Sequence, residues 1–273
     1  MLTLAMPHVA FSAPVVDVAM APTYDRLASR VLDGLAKRAR AILSFCGDFA
    51  LSHAPSFSGA PDAPPHWIAI GGGPGSGKST LADAVAARVN AALGLAQPPA
   101  CVVLPMDGFH YSRAQLRALD PPDASEFLPR RGAPWTFDAD DCFAQFSAAK
   151  RAGEWTLPTY SRELSDPVPG GVQLQRHHKL VLLEGNYLLM RQDPRWAPLD
   201  ALWDERWFIK CADAAAQRQR LILRHYETWN DEKSARWGAG LDGAAARADA
   251  NDVLNMELIA PSEAYAELVI ESV

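Results

Sequence analysis

Trp67-Ile-Ala-Ile-Gly-Gly-Gly-Pro-Gly-Ser-Gly-Lys-Ser-Thr-Leu81 decides how the rest of this chain is read. Gly72, Gly77, Lys78 and Ser79 fit the spacing G-x-x-x-x-G-K-[ST], a loop whose bare backbone cradles phosphates. The apolar run Trp67 to Ile70 predicts a buried strand before the loop, and the Ala-rich segment Leu81 to Leu93 predicts a helix after it. Between them Gly72, Gly73, Pro74, Gly75, Ser76 and Gly77 let N–H groups turn inward on an anion, where a helix N-terminus adds partial positive charge. Lys78 is expected to reach the β- and γ-phosphates of a nucleotide and Ser79 to ligate Mg²⁺, with Thr80 completing the binding stretch. The dinucleotide fingerprint G-x-G-x-x-G finds no register in these residues.

Around this loop, 273 residues suffice for one large α/β domain with appendages and a core that needs no staples. Hydrophobic residues make up 49% and charged residues 21%, a globular composition, and a net charge of −6 disfavours a nucleic-acid partner. The four cysteines, Cys46, Cys101, Cys142 and Cys211, form no C-x-x-C pair and read as reduced thiols of a cytoplasmic protein. No run of apolar residues is long enough to span a membrane. The first twenty residues are apolar, but Pro7 and Pro14 interrupt them and no Lys or Arg precedes Arg26, so no signal peptide is expected.

Residues 1–22 read as irregular and 23–53 as an amphipathic helix packed on the main domain. Thr23 is its N-cap candidate, and Leu27, Val31, Leu35, Ile42 and Phe45 form its apolar stripe. That helix is also the candidate contact for a homodimer. A Pro/Gly/Ser-rich linker, 54–66, leads into the domain at 67–273. Further strands are expected at 101–106, 180–183, 206–210 and 268–270, with helices at 140–151, 214–229 and 243–254. Short apolar strands alternating with helices imply a mainly parallel sheet covered on both faces. Excursions at about 111–137, 156–176 and 218–247 are expected to carry specificity.

Three further segments join the loop in a resemblance. They are Met106-Asp-Gly-Phe-His110 after a strand, Pro158-Thr-Tyr-Ser-Arg162, and Leu182-Leu-Glu-Gly-Asn186. In order and spacing the chain from about 66 to 271 resembles the uridine kinase, pantothenate kinase and phosphoribulokinase group of P-loop kinases. It is most similar to a bacterial and fungal branch with D-G-F-H-Y, R-R-G-A-P-x-T-F-D (Arg130 to Asp138) and S-D-P-V-P-G (Ser165 to Gly170). The resemblance implies a P-loop NTPase three-layer α/β sandwich and ATP with Mg²⁺ as cofactors. It also implies transfer of the γ-phosphate to a hydroxyl of a small metabolite, of nucleoside, pantothenate-like, glycerate or sugar type.

Asp107, at the carboxyl end of a strand, is chemically able to take the proton of an attacking hydroxyl or to hold Mg²⁺ through water. The resemblance implies the base, and a turn cap is the plain alternative. Glu184 is expected to orient the Mg²⁺ shell, the group often using Glu where many P-loop proteins use Asp. His110 and Tyr111 are expected to line the acceptor pocket or to serve as structural residues. Tyr160 and Arg162 are placed in a substrate-contacting loop, where Asp166 is as well suited to a structural turn. Arg130 and Arg131 are candidates to grip an anionic acceptor group in two-point fashion, or to form a solvated turn.

Among Arg218, Arg220, Arg224, Arg236 and Arg247, the segment Arg220 to His225 is nearest to the group's lid. Arg220 or Arg224 is therefore expected to neutralise transferred charge. Asn251, Asp252 and Asn255 resemble the branch's closing motif, assigned to the border of an adenine pocket. The alternatives are an NTPase switch and a non-catalytic nucleotide-binding module. A guanine-reading N-K-x-D and a D-x-x-G after the second strand are missing, which counts against the switch.

Overall fold

The computed structural model describes residues 20–45, 64–93, 98–119 and 127–272. Its strands, in chain order, are His66–Gly71 (β1), Cys101–Pro105 (β2), Trp155–Ser161 (β3), Asp166–Leu174 (β4), Leu180–Glu184 (β5), Glu205–Cys211 (β6) and Leu268–Ser272 (β7). The helices are Ala21–Phe45 (α1), Lys78–Ala92 (α2), Arg113–Leu119 (α3), Ala139–Ala152 (α4), Ala214–Tyr226 (α5), Asp231–Trp237 (α6), Gly240–Arg247 (α7) and Leu254–Ile259 (α8). A π-helical turn, Ala248–Val253, joins α7 to α8.

Five strands pair in parallel in the order β2-β5-β1-β6-β7, so the strand that feeds the glycine loop is central. Alternate residues of β1 enter two separate cores. Trp67 and Ala69 join Phe109, Phe146, Val181, Leu183, Tyr187 and Trp203 on one face. Ile68 and Ile70 join Leu81, Val85, Val89, Leu182 and Trp207 on the other. Burial on both sides explains why these strands read as unbroken apolar runs rather than alternating ones. Each such large side chain contributes about 1.5–3 kcal/mol relative to exposure.

Register fixes the working edge of the sheet. Glu184 on β5 pairs with Ile70 on β1 and with Pro105 on β2. Three strands therefore end flush, and the residues that follow them (the glycine loop, Asp107 and the Glu184–Asn186 segment) open on one rim, where parallel sheets present ligands.

The N-terminal helix begins at Ala21, two residues ahead of the expected cap. Thr23 lies inside its first turn and accepts a hydrogen bond from Arg26 at 3.2 Å, so it is not the N-cap. Met20, Tyr24, Leu27, Ala28, Val31 and Leu35 bury against α2 and its sheet face, which commits the helix's apolar stripe to its own chain. Arg30 pairs with Glu205 at 2.6 Å and Arg88 pairs with Asp25 across the same seam. Residues 1–19, 46–63 and the side chains of Ile42 and Phe45 lie outside the described residues.

The segment expected as a substrate-contacting loop is instead an antiparallel hairpin, β3–β4, with Tyr160 in β3 and Arg162 in its turn. Pro158, Pro167, Pro169, Gly170 and Gly171 disguise it in sequence. A two-stranded ribbon tolerates them because both of its strands are edges. The ladder shifts register between Leu157 and Thr159, around Pro158, which has no N–H to give. Among the described residues no helix is long and apolar enough to cross a membrane, and Cys101, Cys142 and Cys211 are free thiols.

Candidate active site

The loop Gly72–Gly77 turns by backbone conformations that only glycine adopts easily. Gly72 has φ 149°, and a Cβ there would stand 2.3 Å from the carbonyl oxygen of Ile209 on β6. Gly77, at φ 96°, precedes α2 and offers no side-chain cap to its first N–H groups. Helix α5 buttresses the loop from behind. Gln217 Nε2 donates to the Pro74 carbonyl at 2.8 Å, and Leu221 lies under Gly75. Nothing in an amphipathic helix pattern distinguishes that buried Gln217, and sequence reasoning missed it.

Lys78 is 7% exposed and bends over the loop, donating to the Gly73 carbonyl at 2.9 Å. Burial lowers its pKa, Glu184 and Asp107 favour its charge, and nearby Arg224 opposes it. Glu184 is 8% exposed and accepts a hydrogen bond from the Ser79 hydroxyl. Burial first, and then the charge of Asp107, raises its pKa, while Lys78 and Ser79 pull it back.

Asp107 lies in the short 3₁₀ turn Met106–Phe109, directly after β2. Gly108 in that turn passes so close to the hairpin that a Cβ would stand 2.2 Å from the Pro158 carbonyl oxygen. The turn and β3 are thereby locked together. His110 Nδ1 lies 2.7 Å from the Asp107 carbonyl oxygen, an atom that only accepts, so Nδ1 carries the proton. The ring packs on Phe137 at 3.8 Å and Tyr160 at 4.8 Å. Burial lowers its pKa against the opposing pull of Asp107, which keeps the imidazole neutral and Nε2 an acceptor. Tyr111 is partly exposed at the start of the next segment, its carbonyl oxygen accepting from Arg131 at 3.0 Å.

Arg130 and Arg131 brace the site from within. Arg131 donates to Asp166 at 2.8 Å and to the Ser165 carbonyl, and its guanidinium lies over the Tyr160 ring. Arg130 donates to Asn255 Oδ1 and the Ala250 carbonyl, both at 3.2 Å, and stacks on Trp135. Asp166 also accepts from the Arg113 N–H at 2.8 Å, which makes it the structural corner of the hairpin.

The motif expected at the border of an adenine pocket is anchored by contacts within the chain. Asn251 Nδ2 donates to the Arg131 carbonyl at 2.7 Å, and Asp252 takes His225 Nε2 at 2.6 Å and Arg224 at 3.6 Å. Tyr187, unremarked in the sequence, donates its hydroxyl to the Gly132 carbonyl and closes the same loop from below.

The five late arginines separate cleanly. Arg218 pairs with Asp249 on the surface, Arg236 stacks on Trp237, and Arg220 points to Cys211 at the end of β6. Arg224, one turn beyond Leu221 on the face of α5 that meets the loop, lies in the field of Asp107 and Lys78. Arg247 lies beside Tyr160 and Asp252.

These residues fit a nucleotide with Mg²⁺. Ser76 Oγ is buried with no hydrogen-bond partner, at the centre of a loop of glycines with positive φ. Among the described residues no cluster of three or more His, Cys, Asp or Glu side chains forms a cation cage. Mg²⁺ needs none, since it takes hard oxygen donors from one or two side chains together with phosphates, as Ser79 and Glu184 provide.

The chain is 31% identical over 206 residues to a Schizosaccharomyces pombe protein named "Putative uridine kinase", covering 75% of this chain and 82% of that one. A crystal structure of a "putative fructose transport system kinase" from Silicibacter superposes with a TM-score of 0.62 at 30% identity, covering 86% of this chain and 98% of the other. A Saccharomyces cerevisiae structure described as "a putative P-loop containing kinase with a circular permutation" shares the fold at TM-score 0.70 and 18% identity, over 92% and 99% of the two chains. No protein-family model matches the chain. The fold is the three-layer P-loop NTPase sandwich. The chain belongs to the uridine kinase, pantothenate kinase and phosphoribulokinase group of P-loop phosphotransferases, and membership implies dependence on ATP and Mg²⁺.

Proposed function

We propose that this protein transfers the γ-phosphoryl group of ATP to a hydroxyl of a small metabolite. The observation that carries the reading is the flush ending of β1, β2 and β5, which sets Lys78, Asp107 and Glu184 on one rim. In the proposed reaction the acceptor oxygen bonds to the γ-phosphorus as the bond to the β-phosphate oxygen breaks. Asp107 takes the hydroxyl proton, and ADP leaves. Lys78 and the loop N–H groups hold the phosphates in line, and Arg224 offsets charge spreading over the γ-oxygens. Mg²⁺, when bound through Ser79 and Glu184, supplies further charge neutralisation. His110 Nε2 is an acceptor suited to orient a second acceptor hydroxyl, and Tyr160 walls the same pocket. ATP use and free thiols suit a cytoplasmic setting.

The test is Mg²⁺-dependent ADP release across a panel of hydroxyl-bearing metabolites, with Asp107→Asn in parallel. One acceptor should raise release well above the ATP-only rate, and Asp107→Asn should reduce that rise by about 10²–10⁴-fold. Release that no acceptor raises and that Asp107→Asn leaves unchanged would favour a nucleotide switch or a non-catalytic module.

A further inference from the structure

Asn251 and Asp252 stand side by side in the π-turn, both buried, and reach different elements. Asn251 belongs to a directed chain of hydrogen bonds. The Arg130 guanidinium donates to Asn255 Oδ1 at 3.2 Å, Asn255 Nδ2 to Asn251 Oδ1 at 3.4 Å, and Asn251 Nδ2 to the Arg131 carbonyl at 2.7 Å. A guanidinium only donates and a carbonyl only accepts, so the two ends of the chain fix the orientation of both amides. Arg131 carries this chain into the acceptor half, where its guanidinium lies over the Tyr160 ring and donates to Asp166.

Asp252 meets α5 instead. Its carboxylate takes His225 Nε2 at 2.6 Å and Arg224 at 3.6 Å. Gln217, Leu221 and Arg224 share one face of that helix, at i, i+4 and i+7. The first two touch the glycine loop, at the Pro74 carbonyl and under Gly75. Arg224 continues the face that meets the phosphates. Two neighbouring residues of one turn thus link the wall of the acceptor pocket to the arginine of the phosphate side.

Resting on the kinase reading, we infer that Asn251 is a positioning residue. It ties the acceptor wall at Arg131 to the turn that carries Asp252, and so holds Arg224 in register with the phosphoryl group in transfer. A guanidinium on a long stem has many rotamers, and a charge-stabilising group displaced by about 1 Å loses much of its effect. The amide acts by fixing where the carboxylate stands, and the carboxylate by fixing the arginine.

The experiment is calorimetric titration of the full chain with MgADP, alone and with fluoroaluminate, which takes the place of the γ-phosphoryl group in transfer. Fluoroaluminate should tighten MgADP about 10²-fold in the wild type, and Arg224→Gln should remove most of that margin. Asn251→Ala and the isosteric Asn251→Asp should each cut the margin about tenfold, while MgADP alone binds as before. In an Arg224→Gln background, Asn251→Ala should cost nothing further, because it acts through that arginine. Asn90→Ala is the control for lost stability. It deletes another amide bridge, to the Cys101 N–H at 2.8 Å and carbonyl at 3.1 Å, at the opposite end of β2 from Asp107. That variant should keep the whole margin.

Asn251 variants that keep the full margin would overturn the inference, as would a loss that Asn90→Ala reproduces or that persists unchanged beside Arg224→Gln. Equal weakening of MgADP alone would also overturn it, by placing Asn251 at the nucleotide. So would a wild type that fluoroaluminate fails to tighten, since Arg224 would then meet no transferring group. None of these readouts needs an acceptor. A margin that depends on Asn251, in a chain whose ADP release no metabolite raises, would sink the kinase reading alone. Acceptor-raised release in a chain whose Asn251 variants keep the margin would sink the positioning role alone.

Discussion

The two halves of the site are built by different means. The nucleotide half is backbone: a central strand, a loop of glycines and a helix N-terminus, all within β1 and α2. The acceptor half is side chains from distant segments. Asn251 reaches the Arg131 carbonyl across 120 residues of chain, and Arg130 reaches Asn255 across 125. A phosphate cradle depends on conformation, which short sequence patterns dictate. An acceptor pocket depends on pairings, which they do not. One group of kinases is thereby able to keep the first half while varying the second.

The sharpest way to break this comparison is Lys78→Met. If the nucleotide half works through one ammonium aimed from a rigid loop, kcat should fall on the order of 10³-fold or more. The melting temperature should hold or rise, because burial already disfavours the charge of Lys78 and its hydrogen bond is to a loop carbonyl. Near-normal turnover would show that the loop's backbone alone suffices.

A smaller effect is expected from Asp252→Asn in the acceptor half. It removes the counter-charge of Arg224 and keeps the shape around His225, so kcat should drop about tenfold. Stability should fall by about 1–3 kcal/mol in denaturant titration. An unchanged kcat with lost stability would reduce the clamp to scaffolding.

The smallest effect sharpens the contrast from outside both halves. His178, just before β5 and four residues upstream of Leu182, accepts the Gln175 N–H at 2.9 Å. Burial, helped by His177, depresses its pKa to about 4. The fold favours the neutral ring, so its stabilisation is full above the ordinary value of 6.5 and is lost as pH falls towards 4. The unfolding midpoint should decline over that window in the wild type and less steeply in His178→Asn, with turnover at neutral pH unaltered. Equal slopes in the two proteins would show that other groups set the acid limit.

Legibility in the sequence followed the same division. Gly72 to Thr80 were readable because a strand, a turn and a helix are each local, and β5 and the centre of β6 because burial on both faces leaves apolar runs, while β2 and β7 at the sheet edges showed as shorter ones. The hairpin β3–β4 was hidden, since its prolines and glycines carry the same signal as a loop. Gln217 and Tyr187 carried no signal either. Their polar tips serve one carbonyl each, at Pro74 and Gly132, and nothing near them in sequence marks that partner. The arginines were visible as residues but not as roles, because a guanidinium six or seven bonds from its backbone goes wherever a distant acceptor stands.

By itself, then, the sequence determined the sheet, the phosphate loop and the set of charged residues available to a phosphotransfer site. Each follows from a propensity or a spacing of a few residues, and such short-range terms survive without knowledge of the fold. Only the tertiary structure decided that Arg131 braces Asp166, that Arg220 turns to Cys211 while Arg224 reaches Asp252, and that Asp252 is shared under a π-turn. Those assignments rest on which groups meet when separate segments are packed together, 35 residues apart for Arg131 and Asp166 and 27 for His225 and Asp252. Charge pairing is settled by that proximity and by the water it removes, and neither is written in any one stretch of chain.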